Sequence, residues 1–269
     1  MSVAPKVVAV VNITEDSFSD GGRYLAPTAA IQHARALTES GADILELGPA
    51  SSNPDATPVS AALQIERLAP VVDALRSGSL PLSVDATDPE VLAWSLEAGV
   101  ALLNDIRGFP EPETQARLAS AEVDLVVVHS LLERERAVRT EASPEEVLGS
   151  IQRFFDARLN ELVLAGVAEE RLIIDPGMGF FLGSDPAASV AVLQHIPKLR
   201  ARFGRPVFIS VSRKSFLRAI TGRGVDEIGA ATLAAELHAA RAGAEYLRTH
   251  DAGALHDGLM ILEALDEKR

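Results

Sequence analysis

Polar residues able to do chemistry recur at the carboxyl ends of short apolar runs. Asn12 follows Val7–Val11, Glu46 lies within Ile44–Leu47, Asp85 follows Leu82–Val84, and Asn104 and Asp105 follow Ala101–Leu103. His129 ends Leu125–Val128, Asp175 ends Leu172–Ile174, Ser212-Arg213-Lys214 closes Val207–Val211, and Arg248-Thr249-His250 closes Tyr246–Leu247. One such residue reads as a helix N-cap or a hydrogen-bonded structural group, but a whole set in the same place reads as a site. The set divides by charge. Arg213, Lys214, Arg248 and His250 form a cationic sector suited to an anion, and Ser215 can open a short helix whose N–H groups favour the same charge. Asp85, Asn104 and Asp175 form a sector that accepts hydrogen bonds from N–H and amino groups and stabilises positive charge. The expected ligand is anionic at one end and nitrogen-rich at the other. A Schiff-base role for Lys214 fits less well beside Arg213 and these acids.

The elements that must position these groups are eight apolar runs without alternation, which predict strands buried on both faces of a parallel sheet. Helical periodicity fills the gaps at Pro27–Ser40, Ser60–Ser77, Pro89–Ala98, Pro112–Ser120, Pro144–Ala165, Pro186–Phe203, Asp226–Ala242 and Ala254–Glu267, several of them opening on Pro or Ser. At roughly 34 residues per repeat, this predicts an α/β fold, a closed (β/α)8 TIM barrel forming a single domain over 1–269. A doubly wound open sheet is the alternative, but the first strand lacks the GxGxxG turn. In a barrel, these polar strand ends ring the catalytic face.

Composition narrows the class. The 269 residues carry 25 Lys+Arg against 38 Asp+Glu, a net charge of −13, and no cysteine. Disulfide scaffolds, thiolate metal sites and cysteine nucleophiles are excluded, and the acidic balance argues against nucleic acid. Val7–Val11 is far too short for a signal peptide core or a membrane span, so the expectation is a cytoplasmic protein without a membrane partner. His33, His195, His238 and His256 show no metal-ligand spacing. Trp94 is expected to pack on the outer barrel wall, and Glu133–Arg139 to form a solvated loop.

Taken together, Asn12-Ile-Thr-Glu-Asp-Ser-Phe-Ser-Asp-Gly-Gly22, Ser83-Val-Asp85, Leu103-Asn-Asp105, Asp175-Pro-Gly-Met-Gly-Phe180, Ser212-Arg-Lys-Ser215 and Arg248-Thr-His250 resemble dihydropteroate synthase from end to end. The resemblance implies a barrel that joins 7,8-dihydropterin-6-ylmethyl diphosphate to p-aminobenzoate in folate biosynthesis, releasing diphosphate. Carried over by position, it assigns Asp85, Asn104, Asp175 and Lys214 to the pterin, with Ser52 nearby, and Asp85, Asp175 and Lys214 to catalysis. Asn12, Arg248 and His250 would meet the diphosphate, Asn12 also holding Mg2+. Phe180, Phe181, Arg213 and Ser215 would line the p-aminobenzoate pocket. Asp16 and Ser17 fall on a first loop that in the family is mobile and folds over the site. A homodimer is implied as well.

Two segments depart from the common pattern. Gly48-Pro-Ala-Ser-Ser-Asn-Pro-Asp55 has Ala50 and Asn53 where most members show Glu and Arg, and Phe180-Phe-Leu-Gly183 carries a second bulky residue, Phe181. In isolation Phe181 reads as core packing. Both departures fall beside the p-aminobenzoate pocket and resemble the mobile, sulfonamide-resistant branch of the family, so sulfonamides are expected to bind weakly. Extra bulk can reject a drug that extends past the substrate's carboxylate while sparing the substrate itself. Two other functions compete, a pterin-binding methyltransferase domain and a non-catalytic pterin-binding barrel; Ser212-Arg-Lys-Ser215 and Arg248-Thr-His250 argue against the first.

Overall fold

A computed structural model describes residues 4–14, 26–51, 57–131 and 142–266. Among these, eight parallel strands run in the order 6-5-4-3-2-1-8-7: β1 (Lys6–Asn12), β2 (Ile44–Gly48), β3 (Leu82–Asp85), β4 (Leu102–Asp105), β5 (Asp124–Val128), β6 (Leu172–Asp175), β7 (Phe208–Ile209) and β8 (Tyr246–Thr249). The ring closes between β6 and β7 through one bridge, Ile174 to Val207, with the Ile174 N–H donating to the Pro206 carbonyl at 3.0 Å. The expected barrel is therefore present. β7 is shorter than the apolar run Val207–Val211 predicts, and β8 longer than Tyr246–Leu247.

The predicted helices form as α1 (Pro27–Glu39), α2 (Ala61–Leu75), α3 (Pro89–Ala98), α4 (Pro112–Ala119), α5 (Pro144–Leu164) and α6 (Pro186–Phe203). Five of these six begin on proline, whose missing N–H costs nothing in a first turn. Side-chain caps reinforce several starts: Asp88 accepts from Glu90 N–H at 2.9 Å and Asp185 from Ala187 N–H at 2.8 Å, while Ser143 and Glu146 form a reciprocal capping box. After β7 come α7 (Ser215–Thr221) and α8 (Gly229–Arg241), and α9 (Ala252–Asp266) follows β8. Ser215 thus opens the short helix expected of it.

Strand parity sorts the core into two parts, because successive side chains on a strand point to opposite faces. Val7, Ala9, Val11, Leu45, Leu47, Leu103, Leu125, Val127 and Ile174 join a large shell between strands and helices, against which Trp94 also packs as expected. Val8, Ile44, Leu102, Val126, Val128, Ile173, Phe208 and Tyr246 form a second cluster that fills the barrel interior. Two residues further along several of those inward rows stand Glu46, Asn104, Asp175 and Arg248. The site is the layer directly above an apolar floor.

Candidate active site

Glu46 is the most enclosed charged group of this layer, with its side chain fully buried. Its Oε1 accepts from Asn104 Nδ2 at 3.0 Å and from Ser83 Oγ at 3.5 Å, and its Oε2 accepts from Arg248 Nε. Arg248 Nη2 also donates to Asp85 Oδ2 at 3.0 Å. One guanidinium therefore bridges carboxylates on β2 and β3 from its place on β8. The strand order makes this possible, since β1 pairs with both β2 and β8. Breaking such a buried pair by removing one partner costs about 3–5 kcal/mol, because the other charge is left without compensation.

Asp85 and Asn104 sit side by side in register. Across the barrel, Asp175 Oδ1 accepts the Gly177 N–H at 2.8 Å. Gly177 has φ +78°, and a Cβ there would lie 2.3 Å from the His129 carbonyl oxygen, so only glycine fits this turn. Burial raises the pKa of both Asp85 and Asp175 above the ordinary carboxylate range, against the pull of Arg248 and Lys214. Burial likewise lowers Lys214, with Arg248 adding repulsion and Asp175, Asp85 and Glu46 opposing. Asn104 is nearly fully buried, and among the described residues nothing donates to its Oδ1.

The two adjacent phenylalanines separate. Phe181 turns inward against the barrel-interior cluster, and Lys214 Nζ lies 4.6 Å from its ring centroid, a cation–π contact. Its carbonyl accepts the Leu131 N–H at 2.8 Å. Phe180 is 47% exposed and, with Ser215, Gly179, Phe216 and Ser189, lines a cavity of ≈ 310 Å³. The bulk on the outer side is Phe180, while Phe181 is the wall beside Lys214.

Arg213 has φ +59°, a left-handed conformation costing a non-glycine residue roughly 1–2 kcal/mol. Its N–H donates to Thr232 Oγ1 of α8 at 3.3 Å, which helps hold the turn. His250 contacts Ser212 Oγ through Nδ1 at 2.9 Å and through its own N–H at 3.2 Å, joining the ends of β7 and β8. Asn12 ends β1 opposite Gly48, where a Cβ would come within 3.3 Å of the Asn12 Oδ1.

Three of the polar strand ends are not part of this layer. His129 reaches the helix side, with Nε2 3.0 Å from Ser150 Oγ and Nδ1 3.1 Å from the Pro176 carbonyl; burial lowers its pKa to about 4, so it is neutral. Asp105 accepts the N–H groups of Arg107 and Phe109, both at 2.8 Å, and shapes a turn. Thr249 Oγ1 accepts the Asp251 N–H at 3.1 Å. Conversely, sequence reasoning noted Glu46 but gave it no role, although a lone carboxylate inside an otherwise apolar strand was the available signal. Ser52, Asp16, Ser17, Asn53 and Glu133–Arg139 lie outside the described residues.

A model of the family described as pterin binding enzyme matches residues 8–250. The chain is 54% identical over 261 residues to the dihydropteroate synthase type-2 of Escherichia coli, covering 97% of this chain and 96% of that one. Among solved structures it resembles the Yersinia pestis dihydropteroate synthase in complex with a sulfonamide drug, with a TM-score of 0.91, 30% identity and coverage of 99% and 95%. It also resembles the Xanthomonas albilineans dihydropteroate synthase in complex with 7,8-dihydropteroate, with a TM-score of 0.83, 34% identity and coverage of 98% and 94%.

Proposed function

We propose that this chain, which belongs to the pterin-binding enzyme family and within it to the dihydropteroate synthases, works by meeting two opposite developing charges with preorganised groups, without a covalent enzyme intermediate. It is a transferase, condensing 7,8-dihydropterin-6-ylmethyl diphosphate with p-aminobenzoate to give 7,8-dihydropteroate and diphosphate. As the carbon–oxygen bond to diphosphate breaks, positive charge spreads over the dihydropterin, where Asp85 and Asp175 face it. Negative charge grows on the leaving group, met by Arg248 and His250. Asn104 and Lys214 hold the pterin, with Ser52 beside it. The amine of p-aminobenzoate, seated by Arg213, Ser215, Phe180 and Phe181, attacks the electron-poor carbon and loses a proton to solvent. The buried cluster of Glu46, Asp85 and Arg248 carries this reading, because it holds unlike charges a few ångströms apart in a site screened from water.

Mg2+ fits the donor set in one respect. Among the described residues no group of three His, Cys, Asp or Glu could cage a metal, and Mg2+ characteristically uses one or two protein oxygens and otherwise substrate phosphates and water. Asn12 Oδ1 would be such an oxygen. When bound, the ion would supply charge neutralisation on the leaving diphosphate.

We further propose that the enzyme is poorly inhibited by sulfonamides, as its similarity to a type-2 relative and its double phenylalanine suggest. With Phe181 occupying the place beside Lys214, Phe180 is displaced to the outer side, where an inhibitor extending past the p-aminobenzoate carboxylate would meet it. A homodimer acting in the cytoplasm completes the proposal; no described helix is long and apolar enough to cross a membrane. A coupled assay for diphosphate release, with and without p-aminobenzoate and Mg2+ and with a sulfamethoxazole titration, tests the activity, the metal and the drug response. Release that depends on both additions and resists the drug supports it. Methyl transfer without diphosphate release would favour the methyltransferase reading, and pterin binding without turnover a non-catalytic barrel.

A further inference from the structure

The orientation of the Asn104 amide is dictated by its neighbour. An amide can present either its oxygen or its NH2 to a ligand, and which it presents follows from what holds the other end. Glu46, ion-paired to Arg248, has only acceptor oxygens to offer. Its Oε1 lies 3.0 Å from Asn104 Nδ2, so that end of the amide must be the NH2. The oxygen of Asn104 is then left buried among the described residues without a donor, on the same inward row as the site and next to Asp85 in register. A buried acceptor without a partner is a cost that a ligand donor can remove.

We propose that Glu46 is a positioning residue that sets pterin specificity: by accepting from Asn104 Nδ2 it commits Asn104 Oδ1 to the ligand, so the pterin must meet this strand with an N–H edge. Arg248 and Ser83, by binding the remaining lone pairs of Glu46, keep the carboxylate from turning away. Glutamine at the same position could donate as well as accept, and the amide of Asn104 would lose its single orientation. This inference rests on the dihydropteroate synthase reading above, in that the ligand is taken to be a pterin.

The test is calorimetric binding of 7,8-dihydropterin-6-ylmethyl diphosphate, which needs no turnover, alongside diphosphate-release kinetics. Glu46→Gln should weaken pterin binding tenfold or more while the KM for p-aminobenzoate changes less than threefold. In an Asn104→Ala background the same substitution should cost threefold or less, because the group it acts through is gone. Glu46→Asp, which keeps an acceptor-only carboxylate, should bind better than Glu46→Gln. An unchanged affinity in Glu46→Gln, or an equal loss with and without Asn104, would overturn the proposal. Should the variants fail to fold, the wild-type complex decides: a pterin N–H edge facing Asn104 supports it, and a carbonyl edge there overturns it. Wild-type binding without diphosphate release would defeat the functional reading and leave this inference to the variants.

Discussion

Replacing Asp85 with asparagine isolates the charge that the proposed mechanism asks for. The side chain keeps its shape, and its oxygen can still accept from Arg248 Nη2, now 3.0 Å away, but the negative charge is gone. A unit charge about 4 Å from another at an effective dielectric near 20 is worth about 4 kcal/mol, and a half-developed pterin cation in the transition state about half that. Each 1.36 kcal/mol is tenfold in rate, so kcat should fall by roughly 30-fold to 1,000-fold. Binding of the anionic end should change little. Arg248 keeps its pairing to Glu46 and loses one competing carboxylate, so the inhibition constant of free diphosphate should stay within about threefold or tighten. Stopped diphosphate-release assays, with diphosphate as a product inhibitor, measure both quantities. A kcat within threefold of the wild type would refute the cation-stabilising role, and an equal loss of kcat and diphosphate affinity would show that Asp85 acts only through Arg248.

Three other outcomes are expected. Burial raises Asp85 and Asp175 to about 6 and lowers Lys214 to about 8, so kcat/KM for the pterin diphosphate should fall as pH drops through the first value, when the carboxylates protonate, and again as pH rises through the second, when Lys214 loses its charge; a flat profile from pH 5 to 9 would contradict this. Trimming Phe181 to alanine removes the ring beside Lys214 and allows Phe180 to settle inward, so sulfamethoxazole inhibition should tighten about tenfold with a smaller change in the KM for p-aminobenzoate; no gain in drug affinity would count against the steric account. Burial raises Glu236 on α8 to about 8, well above its ordinary value of 4.5; the folded state then binds the extra proton, so its stability contribution is present at low pH and lost as pH rises toward 8. Glu236→Gln should therefore melt higher than the wild type at pH 8.5, by about 2–4 °C for each kcal/mol recovered, with the gain shrinking below pH 5, as followed by scanning calorimetry.

Much of the architecture was legible in the order of residues. Apolar runs without alternation meant parallel strands covered on both sides, and the prolines at 27, 89, 112, 144 and 186 marked helix starts by their own geometry. The boundaries were less legible where packing decided them. Val207–Val211 is apolar but for Ser210, yet only Phe208 and Ile209 extend as β7, because its neighbour β6 is met at a single bridge.

The sequence by itself determined the polar inventory, its place at the strand ends, the charge division between the last two strands and the rest, and the family. It could not tell which polar ends share a face. Parity changes with a shift of one residue, so Asn104 and Asp105 are adjacent in the chain and yet point one into the site and the other into a turn. His129 has the look of a site residue and serves α5 and the turn after β6 instead. Phe180 and Phe181 differ only in order, but one lies against Lys214 and the other is half exposed. The union of Glu46, Asp85 and Arg248 belongs to the tertiary structure alone. Arg248 lies 202 residues from one partner and 163 from the other, and only the curling of the sheet until β8 flanks β1 lets one guanidinium reach both carboxylates.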